Sequence, residues 1–591
     1  MRFFQNQIFL LSIFLVISAS IEDGDNNLPY CYSSKSKNQD VPVTWKCDRS
    51  SKKCVRTITE KDDDPLSCKT SVTVCKLLCD EYGSLWPKPT GILNIEKELT
   101  SINVGDIAFV MTISDSNSEL WNLLKELQNY FLEILRNSFK NKNIARGGNE
   151  LKIIFDIKDE ETTSFVQDAN ENYTLTVNII NNELVEVLID GENFLGVRHA
   201  IETLTQLITY DLISNLVLIP KRVFISDAPF YKHRGILLDT SRSFYTVNSI
   251  KRLLDSMAYN KLNTFHWHLT DSHSFPFVSK NYPKMAVYGA YSSSQVYTWS
   301  DMIEIRNYAK IRGIRIIPEL DTPAHVGEGW QFFDNEISPV ILCYKSEPWR
   351  TYCIEPPCGI LNPVNDEVYE ILKKLYSEFN ELFESDVFHM GGDEVTFACW
   401  NESESVTKWM KESSLTEQKY VKDFLTTDRY IIQIWTKGNN KQIADLLNDG
   451  YDVILSNYDA LYLDCGYGAW IGEENNWCSP YIGWQKIYMN SPEKIIDDLR
   501  SKYPITAENP LSQVLGSEAA LWSEQADENS LDTRLWPRAA ALGERLWTNP
   551  KTDWKVAESR FLTQRERMVS RNIACDVAEM LWCYQNEGHC Y

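Results

Sequence analysis

The chain has 591 residues, 43% hydrophobic and 24% charged, without a long low-complexity tract, so it is globular and too long for one ordinary core. A net charge of −23 argues against nucleic acid or an anionic membrane as partner and suits a neutral or cationic substrate. Eighteen Trp and 29 Tyr offer flat apolar faces that fit the C–H faces of sugars as well as cores.

Residues 1–20 read as a secretory signal: Arg2 in a short polar start, an apolar run from Ile8 to Ile17, then Ser18-Ala19-Ser20. The run is too short to span a bilayer and no later stretch is apolar enough, so a secreted protein without a membrane partner is expected. Fifteen cysteines and glycosylation sequons at Asn172 and Asn401 agree with an extracellular compartment, or a lysosomal one. Residues 21–84 form a Cys-rich segment with Cys31, Cys47, Cys54, Cys68, Cys75 and Cys79. Its polar sequence needs disulfides to close loops, and no His accompanies these cysteines to suggest zinc. The odd total leaves at least one thiol unpaired within the chain.

Residues 85–227 read as a small α+β domain with a supporting role. Ile107 to Ile113, Leu151 to Ile157 and Tyr173 to Ile179 have strand patterns, and Leu120 to Phe139 and Phe194 to Ile213 have helical ones.

From 228 to 591 short apolar runs alternate with helical stretches. The runs are Gly235 to Asp239, Thr264 to Asp271, Ile314 to Asp321, Val387 to Glu394, Tyr430 to Trp435, Val453 to Tyr458 and Val514 to Trp522. Strands alternating with helices imply a parallel sheet. No glycine-rich phosphate loop follows the first strand, and acids and aromatics gather at the strand ends. That pattern predicts an α/β fold of the (β/α)8 TIM-barrel type, with a catalytic site at the C-terminal face.

Val387 to Glu394 carries the most information. An apolar run reads as a buried strand and ends in Gly391-Gly392, then Asp393-Glu394. Adjacent carboxylates repel each other and cost desolvation, so a fold keeps them where something pairs with both. Further on, the stretch from Trp400 to Tyr430 is too short. It holds one helical segment, Glu402 to Leu425, where a crossover unit of roughly thirty residues is needed. Either a fifth barrel strand has been lost, leaving exposed edges, or the barrel closes with seven strands.

Four motifs, His266 to Asp271, Pro318 to His325, His389 to Glu394 and Leu521 to Glu524, together resemble the family 20 glycoside hydrolases, the β-N-acetylhexosaminidases. The Cys-rich N-terminus and the segment Gly468 to Cys478 are similar to those of the insect-type chitooligosaccharide-degrading members. The resemblance implies a retaining, substrate-assisted hydrolysis of terminal non-reducing N-acetylglucosamine, with N-acetylgalactosamine as a further candidate. Glu394 would be the general acid, then base, and Asp393 would hold the acetamido N–H. Tyr462 would steer the acetamido oxygen, while His325 and Asp271 would position Glu394. Arg242, Asp464 and Glu524 would grip the hydroxyls of the sugar, and Trp435 and Trp522 would line its pocket. Trp477 would stack on the next sugar and Glu355 would bond it. The missing strand would carry a further pocket Trp.

Staples are implied at Cys343–Cys399, Cys353–Cys358 and Cys465–Cys478, with one of Cys575, Cys583 and Cys590 left free. No cofactor is implied. His266, His268, His273 and His325 raise the question of zinc, answered here by two of them alternating along a strand and so facing opposite sides. A chitooligosaccharide or terminal GlcNAc glycan is the expected partner, and a homodimer the expected assembly. The competing readings are an N-glycan or glycoconjugate-trimming hexosaminidase and an inactive sugar-binding variant that lacks a barrel segment.

Overall fold

A computed structural model describes residues 43–48, 50–58, 70–113, 118–164, 166–181, 183–333, 338–413 and 425–591; the expected signal, Cys31 and Cys68 lie outside them. Near the N-terminus, Val43–Asp48 and Lys53–Ile58 form an antiparallel pair. Disulfides Cys47–Cys79 and Cys54–Cys75 tie it to the helix Val72–Cys79.

An eight-stranded mixed sheet follows. In Asn149–Ile157, alternate residues Leu151, Ile153, Phe155 and Ile157 are buried, the period-two pattern of a strand with one face on a core. The helices Glu119–Ser138 and Phe194–Leu207 begin at caps supplied by Ser118 and Asn193, whose side chains accept the first free N–H groups. The second helix stops at Leu207 rather than Ile213. Ile208 takes an extended backbone, and Thr209–Asp211 pairs with Leu216–Pro220 as a hairpin turned through Asn215 at φ 59°. A β-branched pair followed by a turn residue outweighs the helical spacing.

The larger unit is a curled parallel sheet of β1 (His233–Asp239), β2 (Thr264–Thr270), β3 (Arg315–Leu320), β4 (Ile431–Ile434), β5 (Asp452–Leu455) and β6 (Val514–Leu521). Their order is β3-β2-β1-β6-β5-β4, and every pairing is parallel. Crossover helices are capped as the sequence dictates. Thr246 starts Val247–Tyr259, and Thr298 with Asp301 forms a full capping box before Trp299–Ile311. The result is a mixed α/β architecture consistent with a barrel.

Burial falls toward one flank. Every residue of β1, β2, β3 and β6 is buried, whereas β4 buries Ile434 alone. The run Val387 to Met390 is not the buried strand its composition predicts. It joins β3 through a single bridge, Glu319 with His389; Val387 and Phe388 are half-buried and Met390 is exposed. Among the described residues no pairing connects this run to β4, so each lacks a neighbour on that side. The expected helix from Glu402 appears as Phe397–Glu402 and Glu404–Ser413, broken by extended Ser403; residues 414–424 lie outside those described.

The two sheets meet through buried charge. Glu171 accepts from Arg234 at 2.9 and 2.5 Å and contacts His199 at 2.7 Å, and Asn263 donates to it at 3.3 Å. Asp227 accepts from Lys261 and from the Tyr173 hydroxyl, at 2.8 and 2.7 Å. Both oxygens of Glu202 accept from Arg571 Nη1, at 2.8 and 3.1 Å. Each of these three acids has its cation, the condition under which such charges are tolerated.

Candidate active site

The C-terminal ends of the parallel strands converge on one cavity of about 550 Å³. Arg242 follows β1, Asp321 and His325 follow β3, and Asp393 and Glu394 follow the His389 bridge. Trp435 follows β4, Tyr462 and Asp464 lie beyond β5, and Trp522 and Glu524 follow β6. All of these line the cavity, with Glu355 and Trp477. Asp271, at the end of β2, does not; it is buried behind the wall.

Backbone shape puts the two acids in place. Gly391 and Gly392 sit at φ +69° and +108°, and Glu394 itself at φ 51°, matched by His325 at φ 53°. Left-handed backbone at non-glycine residues costs energy and gathers where a side chain must be aimed. A Cβ on Gly391 would lie 1.9 Å from Asp321 Oδ1, so only glycine lets this loop pass.

Behind Glu394 stands an imidazole. His325 Nε2 lies 3.2 Å from Glu394 Oε2, and its Nδ1 lies 3.4 Å from Asp271 Oδ1. Burial opposes charge on His325, yet Asp271 and Asp321 beside it hold its proton affinity well above the usual imidazole range. Asp271 is pulled well below the carboxylate range, against its burial, by Arg242, His325 and His268. Asp321 goes the other way, because it is buried and faces Asp393.

Arg242 is the cation of the cavity. Its Nη1 lies 2.9 Å from Asp271, its Nη2 donates to Glu355 at 2.7 Å, and its guanidinium lies 5.1 Å over the Trp522 ring. Arg242 Nε is buried and has no hydrogen-bond partner among the described residues. Burial raises Asp464 to about 7 and raises Glu524 and Tyr462 well above their ordinary ranges.

Aromatic rings wall the other side: Tyr462 lies 6.5 Å from Trp435 and 6.2 Å from Trp522. Trp477, 65% exposed, leans in at 4.8 Å from Tyr458 and 6.3 Å from Trp435. Loop staples hold the rim. Cys353–Cys358 closes the loop that carries Glu355, Cys465–Cys478 closes the one that carries Trp477, and Cys343–Cys399 ties the segment after Glu394 to a neighbouring loop. Cys583 pairs with Cys590 and Cys575 is free and buried. Asn172 and Asn401 are both exposed.

The ground on which zinc was set aside, two histidines facing opposite sides, does not hold. His266 and His268 are two residues apart on β2 and share a face, and both meet the Glu319 carboxylate, at 3.0 and 2.5 Å. His266, Glu319 and His389, or His268, Glu319 and Asp321, lie close enough together to hold an ion. The chemistry does not fit, however. His266 also contacts Glu518 at 2.8 Å and His268 contacts Asp271 at 3.0 Å, so both rings face carboxylates at both nitrogens. Against burial, Glu518 and Glu319 push His266 up to about 9, and Glu319 and Asp271 hold His268 well above its usual range. An imidazole whose two nitrogens both face carboxylates holds its protons more tightly and so offers less to a metal.

Several cavity residues escaped sequence reasoning. Asp321 stands in a motif that was recognised, at a strand end, and that position was its signal. Trp470 lies in the segment before Trp477. Trp349, Arg350 and Arg534 also line the cavity, and nothing in their local pattern marks them.

Comparison with known proteins agrees with this geometry. The family described as glycosyl hydrolase family 20, catalytic domain, matches residues 231–428 and 418–550, and one described as beta-acetyl hexosaminidase like matches 85–207. The chitooligosaccharidolytic beta-N-acetylglucosaminidase of Ostrinia furnacalis is 43% identical over 604 residues, covering 94% of this chain and 96% of the relative. That of Bombyx mori is 43% identical over 588 residues, covering 93% and 95%. Among solved structures, Flavobacterium johnsoniae chitobiase aligns with a TM-score of 0.63 and 25% identity, over 83% of this chain and 73% of that one. The exo beta-N-acetylglucosaminidase of Vibrio harveyi shares the fold, with a TM-score of 0.65 at 20% identity over 89% and 84% of the two chains. The chain belongs to glycosyl hydrolase family 20.

Proposed function

We propose that the protein is a retaining β-N-acetylhexosaminidase that removes terminal non-reducing N-acetylglucosamine from chitooligosaccharides. One observation carries the reading: Asp393 and Glu394 are neighbours on one loop, with His325 and Asp271 stacked behind Glu394 alone. Two adjacent residues cannot flank a glycosidic bond from opposite sides, so the nucleophile belongs to the substrate. The acetamido carbonyl oxygen attacks C1 and the bond to the leaving oxygen breaks. Glu394 gives that oxygen its proton, then takes one from the water that opens the oxazolinium ring. Asp393 accepts from the acetamido N–H and balances the charge that develops there. Tyr462 donates to the acetamido oxygen.

Arg242, Asp464 and Glu524 hold the ring hydroxyls, and Trp435 and Trp522 enclose the sugar. Trp477 stacks on the adjoining sugar with Glu355 as its polar partner. Insect relatives named for chitooligosaccharides support the choice of substrate. Turnover of N,N′-diacetylchitobiose, with Asp393→Asn as control, is the test. No product from the unmutated protein, or full activity in the variant, overturns the mechanism.

The proposal divides the chain into a signal at 1–20, a Cys-rich segment at 21–84, an α+β domain at 85–227 and a barrel at 228–591. Secretion is supported by the disulfides and the two exposed sequons. Assembly as a homodimer is read from the family and tested by light scattering. The edge between the His389 run and β4 is read as the place of a lost fifth strand. In support, burial falls on both flanks, the family match breaks into two pieces meeting at 418–428, and the 604-residue alignment exceeds the chain's own length. Restoring the segment should raise both melting temperature and kcat; no change in either would refute the loss.

A further inference from the structure

Five of the chain's eight histidines lie in one file running down from the cavity, His233, His266 and His268 buried and His325 and His389 half-buried. From Glu394 it runs through His325 and Asp271 to His268, whose Nε2 lies 3.0 Å from Asp271 Oδ2. His268 Nδ1 lies 2.5 Å from Glu319, and His266 bridges Glu319 at 3.0 Å to Glu518 at 2.8 Å. Glu518 ends on His233 at 2.9 Å, and His389 joins Glu319 from the side at 2.7 Å. The amide of Gln433 donates to Glu518 as well. None of Glu319, His268, His266 or Glu518 lines the cavity.

We propose that Glu319 and His268 are positioning residues of the reaction, heading an alternating ladder of carboxylates and imidazoles that sets where Asp271 and His325 hold Glu394. A ring clamped between two carboxylates keeps both protons and one orientation. Clamped in this way, His268 fixes the Asp271 carboxylate, which is shared between His325 and Arg242. Arg242 and Glu394 are thus served by the same anion. A purely structural ion cluster would stabilise the barrel floor without touching kinetics. This ladder differs because its upper end is the partner of Glu394. The inference rests on reading Glu394 as the general acid.

The test is the pH profile of chitobiose hydrolysis by Glu319→Gln. Gln removes the anion that His268, His266 and His389 share and leaves buried imidazoliums below Asp271. That excess positive charge favours ionised Glu394, so the basic limb of kcat/KM moves toward acid by about half a pH unit or more. Kcat falls on the order of tenfold, a fraction of the roughly 10²–10⁴-fold that proton transfer supplies, with KM within about twofold. Glu394 also faces Asp393 on its own loop, Asp321 after β3, Tyr462 and Asp464 beyond β5 and Glu524 after β6. Glu355, Arg350 and Arg534 on the rim and Arg242 after β1 complete its charged surroundings. All of these remain in the variant, so the shift reports the ladder.

Glu518→Gln, one imidazole further away, gives a smaller shift of the same sign. Should neither variant fold, ¹⁵N-histidine spectra of the unmutated protein decide: His268 carries both ring protons from pH 5 to 8. An unchanged profile and kcat in folded Glu319→Gln, a rise in KM alone, or a neutral His268 at pH 7 would each overturn the proposal. If Glu394→Gln keeps full activity, the fault lies in the assignment of the acid, not in the ladder.

Discussion

Replacing Gly391 by alanine separates what the paired glycines do for activity from what they do for stability. The new Cβ would lie 1.9 Å from Asp321 Oδ1 and 2.8 Å from Asp321 Cα, where carbon contacts normally begin near about 3.5 Å. Either Asp321 or the loop carrying Asp393 and Glu394 must therefore move by more than about 1 Å. A misplacement of that size costs on the order of 10²-fold in kcat/KM. The left-handed backbone at φ +69° adds roughly 1–2 kcal/mol of destabilisation. Gly392 is the control: a Cβ there meets nothing within 4 Å, although φ is +108°. Gly392→Ala should lose about 1–3 kcal/mol of stability for its backbone. Its kcat/KM should stay within about threefold of the parent. Both variants are compared by thermal unfolding and by hydrolysis of 4-nitrophenyl N-acetylglucosaminide. If Gly391→Ala keeps its kcat/KM, or if Gly392→Ala loses as much, the close approach to Asp321 does not aim the acids.

Trp477→Ala should raise KM for N,N′-diacetylchitobiose about three- to tenfold, the size of one aromatic contact, and affect aryl monosaccharides less; equal losses on the two substrates would refute a stacking role. Cys478→Ser opens a loop with a sequence separation of 13 and should give a weaker version of the same split, with a stability loss of up to about 3 kcal/mol. An unaltered KM would show that the staple does not hold Trp477. Asp464 has its affinity for a proton raised by burial from 3.8 to about 7, so the folded protein keeps a proton that the unfolded chain releases. Its contribution is whole below pH 3.8 and is lost as pH rises through about 7. The melting temperature of the parent should therefore fall relative to Asp464→Asn between pH 4 and 7, and a constant difference would refute the shift.

Much of the site was legible because barrel chemistry clusters at strand ends. A residue that ends an apolar run, such as Asp271 or Trp522, is placed at a strand end by sequence position, while the family resemblance supplied its role and that of Arg242. What escaped was cooperative. Val387 to Met390 has the composition of a buried strand, but burial depends on a neighbour on each side, and composition is blind to a neighbour's absence. Alternation along a strand separates neighbours, but the spacing of two keeps His266 and His268 on one face, and their common partner Glu319 lies on another strand. Arg350 and Arg534 reach the cavity from loops and helices without periodic pattern, and only the fold brings them in.

The buried pair of Glu202 with Arg571 spans 369 residues. A ribosome therefore finishes the helix Phe194–Leu207 long before it makes the cation that neutralises its buried acid. Until the residue after the last long helix, Trp554–Ser570, has emerged, that acid has no Arg571 to pair with, so this part of the molecule completes its packing only near the end of synthesis. Termination between the last barrel strand, which ends at Leu521, and Arg571 would leave all six described strands in place but Glu202 without its cation.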